Sequence, residues 1–198
     1  MDPVDRTRRT YDAVADEYHR RTGDIDALLP AMDRFVDSLP DESRVLDAGC
    51  GPGRDAHWIT ERDARVVGVD FAAGQLRLAV DQAPGAQVAQ GDLRSLPLRD
   101  DSVDGVWAVA SLVHVPDEEL DAALRELHRV CRVGGTLFAS MKPGEQGELD
   151  HTYGYDTDTG RLFVFHEPEP FADRLCDAGF TVESVVTETA WFRIWARA

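Results

Sequence analysis

The sequence predicts an α/β fold, a mostly parallel sheet with helices on both faces. Three observations carry that expectation. Short β-branched runs alternate with segments of helical period between residues 44 and 142, the pattern of a parallel sheet covered on both sides. A glycine-rich turn, Gly49-Cys50-Gly51-Pro52-Gly53, follows the first run directly and leads into a helix. The chain closes on two apolar runs, Phe180–Thr189 and Trp191–Arg197. They lie too close in sequence for a right-handed crossover, so they must be antiparallel neighbours.

The elements follow in order. Residues 4–38 have helical spacing, with Tyr11, Val14, Ala15 and Tyr18 on one face and Leu28, Leu29, Met32, Phe35 and Val36 on another. Pro40 and Asp41 end that region. Arg44-Val45-Leu46-Asp47 starts the first strand, a helix is expected over 55–62, and Ala64 to Asp70 is a second strand. A helix near 74–82 and strands near 87–91 and over 103–112 come next. Asp117 to Arg132 is the clearest helix, opened by Pro116-Asp117 and ended by Gly134-Gly135, with Leu120, Ala123, Leu124, Leu127 and Val130 at helical intervals. Thr136 to Met141 is strand again. The Gly/Asp/Tyr-rich stretch from 143 to about 160 is too long for a turn and reads as a functional loop. Pro168 to Ala178 is a helix stopped by Gly179.

The whole chain, 1–198, is therefore expected to be one domain. Residues 1–40 form an N-terminal helical extension, 41–142 a ligand-binding core, and 143–198 a loop with the closing strands. With 21 basic and 37 acidic residues the net charge is −16. Such a field repels phosphate backbones and anionic headgroups, so nucleic-acid and membrane partners are not expected. No apolar run approaches the length of a membrane span, and Met1-Asp2-Pro3-Val4-Asp5 does not resemble a signal peptide. Cys50, Cys131 and Cys176 are odd in number and lack any C-x-x-C pair, which points to a reduced, cytoplasmic protein. The protein is expected to be a monomer or a homodimer. Lys142 is the sole lysine. Arginine in its place, together with an acidic surface, suggests adaptation to concentrated salt, although a GC-rich coding sequence would also favour arginine.

The glycine turn lets a ligand press against bare backbone beside a helix N-terminus. A dinucleotide fingerprint would need glycine at position 54, which holds Arg54. Asp47 stands just ahead of the glycines. Its carboxylate would repel a pyrophosphate and attract an ammonium group, so the expected ligand is a cationic nucleoside. Asp70 ends the second strand, where an acid can grip both ribose hydroxyls. Asp92 ends the third, where a carboxylate can accept from an adenine amino group.

In these residues the chain resembles the class I S-adenosylmethionine-dependent methyltransferases. Val45-Leu46-Asp47-Ala48-Gly49-Cys50-Gly51-Pro52-Gly53 is similar to their first motif. Val67-Gly68-Val69-Asp70, Gly91-Asp92-Leu93, Asp104-Gly105-Val106-Trp107 and the run Leu127 to Gly135 resemble later blocks in the same order. The resemblance implies a Rossmann-like three-layer sandwich. Its seven-stranded sheet would have the order 3-2-1-4-5-7-6, strand 7 antiparallel, beneath an N-terminal helical lid. It implies S-adenosylmethionine as cofactor, S-adenosylhomocysteine as product, and methyl transfer by in-line displacement. Asp47, Gly49, Cys50, Gly51 and Gly53 would surround the methionine part and Asp70 would hold the ribose. Phe71 would pack on the adenine, Asp92 and Leu93 would meet its edge, and Ala110 would complete the site. Tyr11 would belong to the lid, capping the methionine end.

Alignment and exclusion of water supply much of such a reaction, and a base is needed only where the acceptor must lose a proton. His114, just past the fourth strand, is the candidate catalytic base. His57 and His128 lie within helices as packing or surface residues. His151 and His166, with Tyr153, Tyr155, Phe163 and Phe165, form either an aromatic lid over the acceptor or packing at the sheet edge. No metal-ligand pattern appears. After the fourth strand Ser111-Leu112-Val113-His114 replaces the Pro-Pro-aromatic motif of adenine-amino enzymes, so the expected acceptor is a small molecule. A non-catalytic cofactor-binding protein that braces a partner, and a nicotinamide-dependent reductase, are the alternatives.

The residues of the N-terminal helix are polar on most faces, and so it is expected to be held loosely. If the acidic surface is an adaptation to salt, the melting temperature should climb steadily between low and molar KCl as like-charge repulsion is screened. A flat or falling curve in differential scanning calorimetry would leave only the coding explanation.

Overall fold

Five parallel strands frame the molecule: β1 (Arg44–Ala48), β2 (Arg65–Asp70), β3 (Gln87–Gln90), β4 (Val103–Val109) and β5 (Cys131–Pro143). The structure is a computed structural model and describes residues 2–144, 147–151, 154–155 and 160–198. Seven helices accompany the strands: α1 (Pro3–Ala13), α2 (Ala15–Arg21), α3 (Leu29–Asp37), α4 (Arg54–Thr60), α5 (Ala73–Gln82), α6 (Asp117–Val130) and α7 (Pro168–Asp177). Four further strands are β6 (Gly147–His151), β7 (Arg161–His166), β8 (Thr181–Thr187) and β9 (Phe192–Arg197).

The sheet runs β3-β2-β1-β4-β5, all parallel, and continues through β9 and β8. β9 is antiparallel to both neighbours, with Phe138 opposite Trp195 on β5 and Ile194 opposite Val185 on β8. This is the expected order 3-2-1-4-5-7-6 with its single reversed strand. β1 is apolar over most of its length because both faces are covered. On one face Leu46, Val106 and Leu137 pack with Leu120, Leu124 and Leu127 of α6 and Phe171 of α7. On the other, Val45, Trp107, Phe138 and Trp195 pack with Met32 and Phe35 of α3 and Ile59 of α4. Trp107 stacks on Phe138 with centroids 4.3 Å apart.

Three expectations are corrected. The N-terminal helical region is three helices; Val14 (φ −104°) interrupts the first two, and residues 22–28 separate the second from the third. The sixth helix stops at Val130, two residues early, because the ladder to Val103 claims Cys131 for β5. The stretch read as a loop carries β6, paired antiparallel with β7. The reason lies in β5, which at 13 residues outruns its neighbours. Its free end at Lys142 and Pro143 pairs with Phe165 and His166 of β7, so among the described residues there are nine strands rather than seven.

The N-terminal helix is docked by its polar residues rather than loosely laid on the sheet. Thr7 is fully buried; its Oγ1 accepts from the Leu162 amide (2.9 Å) while donating to the Pro3 carbonyl. Thr10 Oγ1 lies 3.0 Å from the Gly160 carbonyl. Asp12 Oδ1 accepts from the Gly74 amide at 2.7 Å, satisfying a free donor in the first turn of α5.

One core contact joins this frame to the ligand-facing end. Trp107 Nε1 donates to Asp55 Oδ2 at 2.8 Å, both groups buried. Trp107→Phe keeps an aromatic ring but a smaller one, leaving a small cavity and that carboxylate oxygen without its donor. The expected loss is about 1–3 kcal/mol in urea denaturation, with a wild-type midpoint counting against a structural role for the bond.

Candidate active site

The turn after β1 sets the floor of the site. Gly49, Gly51 and Gly53 have φ of 80°, 53° and 85°, a region open to glycine at little cost. This conformation turns amides inward: Gly49 and Cys50 donate to the Val69 carbonyl at 2.7 and 3.1 Å. Gly51 donates to Asp70 Oδ2 at 2.9 Å, and Ala72 to Asp70 Oδ1 at 2.8 Å. Asp70, ending β2 and only 7% exposed, is thus fixed by two backbone amides with lone pairs to spare for hydroxyl donors. Burial pushes its carboxyl up to about 6, against the lowering effect of those amides.

Two cavities meet above the turn, sharing Tyr18, Gly49, Gly51, Val109 and Ala110. The first, about 670 Å³ including its mouth, is bounded by Tyr11, Asp70, Phe71, Asp92, Leu93 and His114. The second, about 1030 Å³ including the open space at its mouth, is bounded by Asp47, Cys50, Arg54, Asp55, Trp191 and Arg193. Together they offer ample room for a nucleoside-sized ligand and a second small molecule. Ala110 at the junction has φ 53°, a strained value for a residue with a side chain. Its amide is tied to Ser140 Oγ at 3.0 Å.

Asp47 lies in the second cavity, almost wholly buried, and its Oδ2 has no hydrogen-bond partner among the described residues. Burial, then the neighbouring Asp55, raise its carboxyl well above the usual range, with Arg54 opposing. An ammonium group in this cavity would supply the missing donor, so the residues present fit the methionine end of S-adenosylmethionine. Arg54 itself is committed, with Nε to Asp55 Oδ1 (2.6 Å) and Nη1 to the Thr22 carbonyl (2.8 Å).

The structure brings His114 and every residue assigned to the cofactor from the sequence to the two cavities, except Gly53. That glycine borders neither cavity; a side chain there would strike Ala79 and Ala83 of α5, so its role is close helix packing. Cys50 serves mainly as a small packing group, its Sγ set against Gly68. Asp92 borders the first cavity, but its carboxylate is already held. Arg94 reaches both oxygens, with Nε at 2.9 Å and Nη2 at 2.5 Å, and also pairs with Glu119. Burial would raise Asp92, yet Arg94 outweighs it and keeps the group below the ordinary carboxylate range. Arg94 was missed because its partner lies only two residues away, inside a turn.

His114 lies at the mouth of the first cavity with both ring nitrogens engaged. Its Nδ1 lies 2.6 Å from the Leu162 carbonyl, which can only accept, so Nδ1 carries the proton. Nε2 therefore accepts from the Tyr11 hydroxyl at 2.7 Å, and Arg161 Nη1 donates to that same hydroxyl oxygen at 3.0 Å. Burial, with Arg161 adding to it, drops the imidazole to about 4. Both ring nitrogens are committed to holding α1 and β7 over the site. Phe163 packs on His114 (4.7 Å) and Tyr155 on Tyr18 (6.4 Å), so these two belong to the roof. Phe165 and His166 pack the sheet edge, His166 against Phe171. Tyr153 and the side chain of His151 lie outside the described residues. His128 packs on Phe180 at 5.0 Å, as its helical setting suggested.

Comparison with known proteins agrees with this geometry. Residues 45–135 match the family model described as a methyltransferase domain. The chain is 38% identical over 140 residues to malonyl-[acyl-carrier protein] O-methyltransferase of Dechloromonas aromatica, covering 68% of this chain and 51% of that protein. It is 35% identical over 185 residues to trans-aconitate 2-methyltransferase of an Azoarcus species, covering 92% and 63%. The chain spans about half the length of the curated relatives it matches. Among solved structures, the 1,6-didemethyltoxoflavin-N1-methyltransferase of Burkholderia thailandensis, with S-adenosylhomocysteine bound, superposes with a TM-score of 0.79. Its sequence identity is 21%, with 100% of this chain and 90% of that one covered, a likeness of fold.

The Tyr11 hydroxyl joins three elements. Tyr11→Phe should cost about 1–3 kcal/mol in urea denaturation, and should speed hydrogen exchange at residues 5–13. Unchanged exchange there would mean that the threonine contacts alone hold the helix.

Proposed function

The chain belongs to the class I S-adenosylmethionine-dependent methyltransferases, and from that premise we propose that it transfers a methyl group from S-adenosylmethionine to a small-molecule acceptor. One observation carries the reading. A buried acid lacking a donor, Asp47, and a buried acid with lone pairs to spare, Asp70, flank a glycine floor in two joined cavities. Asp47 would take the ammonium, Asp70 the ribose hydroxyls, and Phe71 with Leu93 the adenine.

The cofactor, when bound, supplies a methyl group already activated on a sulfonium. The protein's share is alignment and exclusion of water. Tyr18 and Ala110 stand where the two cavities join and bound the space in which donor and acceptor would meet. The roof of Tyr11, His114 and Phe163 closes the first cavity from above. With His114 committed at both nitrogens, the site favours an acceptor atom that arrives without a proton to lose. Two relatives bear the names of acids, malonyl and aconitate, which supports an acidic acceptor. The net charge of −16 argues against a nucleic-acid substrate.

Calorimetric titration with S-adenosylhomocysteine tests the reading, with NAD as the contrasting ligand. Asp70→Ala should weaken S-adenosylhomocysteine more than tenfold, since hydrogen bonds to a charged group contribute about 1.5–3 kcal/mol each. Hydroxyl donors favour the ionised carboxylate, whose raised value near 6 makes the free site mostly protonated at pH 5. The dissociation constant should therefore rise about tenfold from pH 8 to pH 5, with Asp47 titrating in the same direction. Wild-type affinity in Asp70→Ala, or tight NAD binding, would overturn the assignment.

A further inference from the structure

We propose that Arg193 anchors the carboxylate of the methyl acceptor, so that the substrate is a small carboxylic acid entering through the second cavity; this rests on the methyl-transfer reading above. The second cavity extends past Asp47 and the glycine turn as far as Ala27, Leu28, Trp191 and Arg193. Trp191 and Arg193 bring β9 and the chain ahead of it into the lining, three strands across the sheet from Asp47 on β1, and Arg193 reaches the Ala27 carbonyl. Three cationic side chains stand near this region, and their commitments differ. Arg54 is tied to Asp55 and to the Thr22 carbonyl. Lys142 lies against the Trp191 ring, its Nζ 4.5 Å from the centroid. Arg193 uses only Nη2, toward the Ala27 carbonyl at 3.2 Å and Glu188 at 3.2 Å. Its Nε and Nη1 have no protein acceptor among the described residues, although the side chain is only 18% exposed. A partly buried guanidinium with donors in hand is a carboxylate site by chemistry.

Its placement suits the reaction. Arg193 lies directly across from Ser140 on β5, and Ser140 is bonded to the amide of Ala110 at the junction of the cavities. Because Ser140 Oγ accepts that bond, its own proton is available to a carboxylate oxygen. The acids of the same cavity do not compete for the position. Asp55 is held by Trp107 and Arg54, Asp24 Oδ1 accepts from the Asp26 amide, and Asp47 lies at the methionine end. A carboxylate also resolves the want of a base. With one oxygen on Arg193 and the other attacking, a C–O bond forms as the C–S bond of the sulfonium breaks. The electron pair returns to sulfur, leaving a neutral thioether and a methyl ester, and no proton has to leave. Trp191 would set how bulky the rest of the acid can be.

The test uses the full chain saturated with S-adenosylhomocysteine and titrated calorimetrically with malonate, trans-aconitate and the amides of the same acids. Labelled methyl transfer to the same panel runs in parallel. At least one acid should bind and be methylated, its amide at least tenfold more weakly. Arg193→Gln should weaken that acid by tenfold or more, with S-adenosylhomocysteine affinity and melting temperature near wild type, and Arg193→Lys should recover part of the loss. Glu188→Gln, which removes the ion pair and keeps the guanidinium, should bind the acid at least as well as wild type and guards against a folding artefact. Equal use of acids and amides, indifference to Arg193→Gln, or no acid accepted by a protein that binds S-adenosylhomocysteine would each overturn the proposal. Failure to bind S-adenosylhomocysteine at all would instead overturn the reading on which it rests.

Discussion

Everything at the ligand-facing end depends on the hand-over from β1 to α4. Five residues, Gly49 to Gly53, must end a buried strand, turn the chain and start a helix while leaving no orphaned amide. Left-handed backbone at three of them achieves this by aiming the Gly49 and Cys50 amides at the Val69 carbonyl and that of Gly51 at Asp70. Those bonds tie the first strand's end to the second strand's end, so the acid on β2 and the acid on β1 are fixed relative to one another. A side chain at Gly49 would collide with Ser111 at 2.3 Å, which also locks the turn against the chain leaving β4. Three strand ends are thus held by one turn, and the two cavities share that turn as their floor.

The electrostatics follow from this packing. Asp47, Asp55 and Asp70 are all buried within a chain that already carries −16. Burying carboxylates is unfavourable unless each finds donors. Asp55 finds Trp107 and Arg54, and Asp70 finds two amides. Asp47 keeps an oxygen unsatisfied. Local strain and an unsatisfied acceptor oxygen at one place are features of ligand-binding sites. Ala110, a non-glycine with positive φ on the opposite wall, belongs to the same pattern.

Much of this was legible in the sequence, for identifiable reasons. The parallel sheet was legible because its strands are apolar on both faces, and the reversal at β9 because its link to β8 is too short to cross over. The acids Asp47, Asp70 and Asp92 stood out as candidates because each lies within two residues of the C-terminal end of a parallel strand. What escaped was long-range or polar. Nothing local shows that β5 outruns its neighbours, so β6 was hidden in a Gly/Asp-rich stretch and β7, the apolar run Arg161–His166, was left without an element. The docking of α1 was hidden because a buried threonine bonded to a distant amide looks like a surface threonine in sequence. His114 was placed at the mouth of the sheet, but the contacts that engage both its nitrogens were not legible. Its partners Leu162 and Tyr11 stand 48 and 103 residues away.

The committed histidine and the docked helix bear on each other. A general base must hold a free lone pair at the reaction centre, yet the Tyr11 hydroxyl occupies the one that His114 has. The same contact holds α1 over the first cavity, which Val4 and Tyr11 of that helix line. The fold thus uses a well-placed titratable group to fasten α1 and β7 together, an arrangement that suits chemistry in which no proton moves at that position. Because the fastening covers the first cavity and leaves the second bounded by residues 22–28 and β9, cofactor and acceptor can arrive from different sides. They would then meet at the strained residue Ala110, where backbone geometry rather than an acid–base pair fixes their alignment.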